Sequence, residues 1–223
     1  MSQVTNPGTM PVAASAHLSS PEGAPYAMLI RRLTTTVTSQ AIGLTSCAHG
    51  EGVSTVATNL SVAAAGESAR PVLLVDTDAT QSQTQSTFGL PPGPGFVDAL
   101  SGENKLLDCI QTTSIPNLHV MGPGTTEFTL GAAGGPGTFC SLIETLKLEY
   151  SWVLFDLPIV SECHFPTLIS SLDGILLVVE AERLRRQVVM RAKQQLENND
   201  ANVLGVVFNK RQYHVPNWIY NRV

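Results

Sequence analysis

Along most of the chain, apolar residues come in short unbroken runs, and between the runs they recur at helical spacing. The runs are Ala41–Ser46, Pro71–Asp78, Leu118–Gly122, Ser151–Pro158, Gly174–Ala181 and Val203–Asn209. Several are apolar on successive positions instead of alternate ones, which predicts strands covered on both faces. Between them, Phe139, Leu142, Ile143 and Leu146 mark one helical face, and Leu184, Val188, Ala192 and Leu196 mark another. Earlier in the chain, PYAMLIRRLTTTVT predicts a first helix, with Pro25 suited to its first turn. Strands alternating with helices predict an α/β fold: a mostly parallel central sheet flanked by helices on both faces. Two stretches rich in glycine and proline, 89–95 and 122–137, read as loops.

Composition narrows this frame. The chain has 223 residues, enough for one sizeable domain, and 43% of them are hydrophobic. Residues 1–24, rich in Ser, Pro, Thr, Ala and Gly, read as a flexible arm. Residues 25–210 form the folded domain and 211–223 a basic, aromatic tail. Only 14% of residues are charged, which fits either a large buried interface or a large parallel-sheet core. A net charge of −5 without a Lys/Arg run argues against a nucleic-acid partner. The four cysteines are widely spaced without a CxxC pair, so a cysteine metal site is not expected and reduced thiols of a cytoplasmic protein are. The N-terminus lacks the basic and apolar regions of a secretory signal. No apolar stretch is long enough for a membrane-spanning helix.

Ligand sites in open α/β sheets lie beyond the carboxyl ends of the strands, and three strand ends here carry suggestive residues. The first is TSCAHGEGVST. Gly50 and Gly52 allow a tight concave backbone around Glu51, the following helix adds its N-terminal dipole, and Ser54 or Thr55 offers a hydroxyl to Mg²⁺. The pattern G-x-x-x-x-G-K-[ST] is incomplete, with Cys47 at its first glycine and Val53 at its lysine. The second end, VLLVDTDAT, delivers Asp76 and Asp78, placed by strand alternation on one side. Such a pair can hold Mg²⁺ or accept a proton. The third, WVLFDLP, places Asp156 at the end of an apolar strand, two residues before Pro158. Each end alone also reads as an ordinary turn. All three in one chain, in this order, point to a P-loop NTPase.

With those residues in place the chain resembles the MinD/ParA-like branch of P-loop proteins. Within it, the chain is most similar to the bacterial tyrosine-kinase, or capsular exopolysaccharide, family (CpsD/CapB-like). GEGVSTVATNL is similar to that family's GEGKST-x-x-x-N-L, and DGILLVVEAERLRRQVV to its DGVLLVV-x-A-x-x-T-R-R. The resemblance spans about residues 25 to 220. It implies that Gly50, Glu51, Gly52, Val53, Ser54 and Thr55 form the nucleotide loop, with Ser54, Asp76 and Asp156 on the metal. It further implies catalytic roles for Asp76, Asp78 and Asp156, and an adenine contact for Asn209. The implied cofactors are ATP and Mg²⁺. The implied activity is tyrosine autophosphorylation, coupled to polysaccharide polymerisation and export with a membrane co-polymerase that recruits the protein to the inner membrane.

Four departures qualify that expectation. Val53 supplies no charge where the family's lysine steadies the transferred phosphoryl group, so ATP is expected to be held weakly or not at all and kinase activity to be low or lost. Ala79, Thr80 and Gln81 follow Asp78 where basic residues are usual. Ala24 and Ala27 stand at charged positions of the family's assembly helix, weakening the expectation of self-association. The tail has Tyr213 and Tyr220 instead of a dense tyrosine cluster. The alternatives are an active autokinase drawing a cation from elsewhere, with Lys210 and Arg211 nearest in sequence, and a ParA/MinD-like positioning ATPase. Those ATPases usually carry an extra lysine early in the loop, where this chain has Cys47, Ala48 and His49.

Overall fold

The computed structural model describes residues 23–36, 40–78, 84–125, 136–163 and 166–210. The helix α1 (Ala24–Thr36) leads into β1 (Ala41–Ser46), α2 (Val53–Glu67) and β2 (Val72–Asp76). Two short helices, α3 (Thr84–Thr87) and α4 (Phe96–Ser101), precede β3 (Gln111–Thr112) and β4 (Leu118–Met121). The chain continues through α5 (Pro136–Glu149), β5 (Trp152–Asp156), α6 (Pro166–Ser171), β6 (Gly174–Glu180), α7 (Arg186–Glu197) and β7 (Val203–Asn209).

All six apolar runs are strands, and they form one sheet in the order β3-β4-β2-β5-β1-β6-β7. Every described pairing is parallel except the short β3 against β4. The central strands β1, β2 and β5 are buried at every residue, as continuous apolar runs require. Side-chain alternation splits the core into two layers. One joins Leu73, Val75, Val153 and Phe155 to Phe139, Ile143 and Leu146 of α5 and to Ala192 and Leu196 of α7. The other joins Ile42, Leu44, Leu74 and Leu154 to Val56 and Leu60 of α2 and to Ile30 and Leu33 of α1. Val188, placed on the inner face of its helix by spacing, is 40% exposed, because α7 lies over the outer strands where cover is thinner.

β5 lies between β1 and β2, so the chain crosses over it between those two strands. That crossing brings the ends of β1, β2 and β5 side by side. Their ends are tied together: Leu157 N–H donates to Leu44 O, Thr45 Oγ1 to Pro158 O, and Thr77 Oγ1 to Asp156 O. The short strand β3, the one-turn helices and the antiparallel edge were not legible in the periodicity. The expected arm, the tail with Tyr213, Tyr220 and Arg211, and most of the 122–137 loop lie outside the described residues.

Candidate functional site

The loop Cys47–Gly52 leaves β1 and turns into α2 through two left-handed glycines, Gly50 at φ 79° and Gly52 at φ 88°. Residues with a Cβ rarely adopt this backbone, which is why glycines stand there. Between them, Glu51 is fully buried. Its Oε2 accepts from Cys47 N–H at 2.8 Å and Ala48 N–H at 2.9 Å, and its Oε1 from Glu180 N–H at 3.0 Å. The loop is therefore wrapped around its own carboxylate, which also fastens it to the end of β6. What the Glu51 side chain lends the site is this shape.

The loop, the start of α2 and the ends of β2 and β5 enclose a hollow of about 250 Å³. Gly50, Gly52, Val53, Ser54 and Thr55 line one side, and Asp76, Asp78 and Asp156 the other. All the residues singled out as nucleotide or metal ligands meet here except Asn209. Val53 begins α2 and packs against the apolar layer beneath that helix, while Ser54 and Thr55 are exposed in its first turn. α2 has no side-chain cap at Gly52 and no acidic residue in its first turn. Its N-terminal amides and dipole therefore open onto the hollow.

Asp76 and Asp156 are direct register partners on adjacent parallel strands. Both are buried, at 1% and 4% exposure. Burial and the neighbouring Asp76 charge push the Asp156 carboxyl up to about 7; the Ser54 hydroxyl hydrogen-bonded to it pulls the other way, and Asp78 adds a further upward push. Asp78 lies past the end of β2. Its N–H donates to Asp76 Oδ1 at 3.0 Å, so a turn holds the pair together where strand alternation was expected to.

Asn209 ends β7 and donates from Nδ2 to Glu51 O at 2.9 Å. It backs the loop closely: a Cβ on Gly52 would lie 2.3 Å from that nitrogen. Lys210 donates to Gly50 O, and Arg183 to His49 O. Glu180 and Arg183 were missed in the sequence, although Glu180 ends an apolar strand just as Asp76 and Asp156 do. His49 is exposed beside the Glu162 carboxylate at 3.0 Å. Burial, followed by the Glu51 charge, pushes the Cys47 thiol to about 11, which leaves it protonated and unsuited to attack.

The donors around the hollow are oxygens and backbone amides, which suit a hard cation and phosphate. Among the described residues no cluster of three or more His, Cys, Asp or Glu is arranged to hold a metal alone. Mg²⁺ needs none, since it is commonly bound through one or two carboxylates with waters and phosphate oxygens. No helix among the described residues is long and apolar enough to cross a membrane.

No family model matches the chain. Individual relatives do. Tyrosine-protein kinase CpsD of Streptococcus agalactiae is 32% identical over 171 residues, covering 76% of this chain and 74% of that protein. Among solved structures, the chimeric protein CapA2B2 superposes with a TM-score of 0.80 at 26% identity, covering 92% of this chain and 94% of that one. MinD from Pyrococcus horikoshii, complexed with Mg-ADP, superposes at 0.63 with 26% identity, covering 81% and 75%. The fold is thus that of a MinD-like P-loop NTPase.

Proposed function

This chain belongs to the CpsD family of bacterial tyrosine-protein kinases, and on that premise we propose that it is a nucleotide-binding regulator with little or no kinase turnover of its own. It would work in exopolysaccharide polymerisation and export, at the cytoplasmic face of a membrane co-polymerase. The observation that carries this reading is Val53. It lines the hollow from the first position of α2 and packs on the apolar layer, while the loop glycines, Ser54 and the three carboxylates line the same hollow, which supports reading it as a phosphate site.

Phosphoryl transfer depends mainly on positioning and on neutralising charge that develops on phosphate oxygens. The loop amides and the N-terminus of α2 would hold the phosphates. Ser54, Asp156 and Asp76 would hold Mg²⁺, whose charge would offset part of the phosphate charge. Asp78, whose N–H is held by Asp76 Oδ1 and which lines the same hollow, would accept the proton of a hydroxyl nucleophile. The missing element is a cation within the loop. Removing a single preorganised group that stabilises transition-state charge typically slows an enzyme by roughly a hundredfold to a thousandfold.

The rival reading, an autokinase with a borrowed cation, looked to Lys210 or Arg211. Arg211 lies outside the described residues, and the Lys210 ammonium is engaged with Gly50 O and Glu180. The deciding experiment is calorimetric titration of the full chain with Mg·ATP, beside Val53→Lys. The expected result is weak binding without measurable turnover, and roughly tenfold to hundredfold tighter binding in the lysine variant. Rapid turnover by the unmodified chain, or phosphotyrosine at Tyr213 or Tyr220 that vanishes in Asp76→Ala, would overturn it.

A further inference from the structure

Three consecutive peptide units of the loop have their carbonyl oxygens engaged from outside. His49 O accepts from Arg183 Nη1 at 3.3 Å, Gly50 O from Lys210 Nζ at 2.5 Å, and Glu51 O from Asn209 Nδ2 at 2.9 Å. Every described peptide bond here is trans. In a trans peptide the N–H of the next residue points opposite to the carbonyl. The amides of Gly50, Glu51 and Gly52 are therefore turned away from this rim, toward the hollow those residues line.

The rim is itself braced. Glu180 Oε2 accepts from Arg183 Nη1 at 2.8 Å and from Lys210 Nζ at 3.4 Å. Lys210 takes a left-handed backbone, φ 52°, which turns the chain after β7 and lays its side chain over the loop. A lysine holds that conformation only where its surroundings favour it. The two cations are matched by the Glu180 carboxylate beside them and the Glu51 carboxylate buried within the loop.

We propose that Arg183, Asn209 and Lys210 are positioning residues of the phosphate cradle. They hold the loop carbonyls outward so that the amides aim at a polyphosphate. Asn209 thereby acts on the phosphate end of the ligand through Glu51 O, in place of the adenine contact expected from the sequence. The proposal rests on the nucleotide reading above and goes further by assigning how a lysine-free loop holds its anion.

The test is calorimetry on the full chain with two ligands, Mg·ATP and Mg²⁺-tripolyphosphate, the second having no base or sugar. Lys210→Met, Arg183→Met and Asn209→Ala are each expected to weaken both ligands by about threefold to tenfold, and Lys210→Arg to restore most of the loss. Unchanged thermal midpoints would separate this effect from loss of folding. Asn209→Ala weakening ATP but not tripolyphosphate would overturn the proposal in favour of a base contact, and so would unaltered binding by Lys210→Met and Arg183→Met. Unmodified chain that binds tripolyphosphate but not ATP would refute the nucleotide reading alone, leaving the variants to judge the cradle. Binding of neither ligand would overturn both.

Discussion

The two walls of the hollow are built from opposite materials. The loop wall is backbone: left-handed glycines, outward carbonyls and inward amides, held by groups that stand behind it. The carboxylate wall is side chain: Asp76 and Asp156 forced together by strand register, with Asp78 folded onto them by a turn. A backbone wall survives the loss of one side chain because its donors belong to the main chain. The carboxylate wall has no such independence, since each of its charges raises the cost of the next. With Val53 in place of a lysine, the acidic wall has no cation within the loop facing it. The Asp156 carboxyl is pushed up to about 7, first by burial and then by the Asp76 charge beside it.

The comparison is broken most severely from the acidic side. A carboxyl whose folded pKa lies above its unfolded value binds more protons in the folded state between the two, so stability falls as pH rises through that window. For Asp156 the window runs from 3.8 to about 7. Ionisation at pH 8 without Mg²⁺ should cost about 4 kcal/mol relative to pH 4. Asp156→Asn should therefore match the unmodified chain near pH 4 and exceed its stability at pH 8 by about that amount in denaturant titrations. Equal stability at both pH values would mean that burial and the Asp76 charge do not hold the Asp156 carboxyl up.

The loop wall should respond to Glu51→Gln. The amide has one accepting oxygen for the three N–H groups that the carboxylate serves, so buried donors lose partners. The expected loss is about 2–3 kcal/mol, seen as a melting point lower by roughly 5–10 °C. A change of less than a degree would show that the loop keeps its shape without its buried anchor. A smaller effect is expected from Gly52→Ala, which places a methyl group 2.3 Å from Asn209 Nδ2 on a left-handed backbone. It should cost about 1–2 kcal/mol. Crystallography of this variant should show Asn209 displaced; an unmoved Asn209 would mean that the loop yields instead.

Much of the fold could be read before any coordinates. The six apolar runs are the six long strands, and Asp76 and Asp156 stand at strand ends because carboxylates end strands that no longer need to bury apolar surface. The face of α5 was equally legible, since Phe139, Ile143 and Leu146 recur at helical spacing. Other features were not. β3 is two residues long and carries no periodic signal. Glu51 was read as part of the nucleotide loop, yet its carboxylate is buried in the loop's own scaffold. Arg183 carries no local signal of a role, yet it reaches back to His49 O.

The sequence by itself determined the succession of strands and helices, the glycine-bearing loop after β1 and the absence of its lysine, because these are local properties of residue type and spacing. The tertiary structure alone decided which distant groups meet. Strand order laid β5 between β1 and β2, making Asp76 and Asp156 neighbours. The positions of β6 and β7 beside β1 carried Glu180, Arg183, Asn209 and Lys210 to the back of a loop more than a hundred residues away. Electrostatic coupling depends on distance and burial in space, and neither can be counted along the chain.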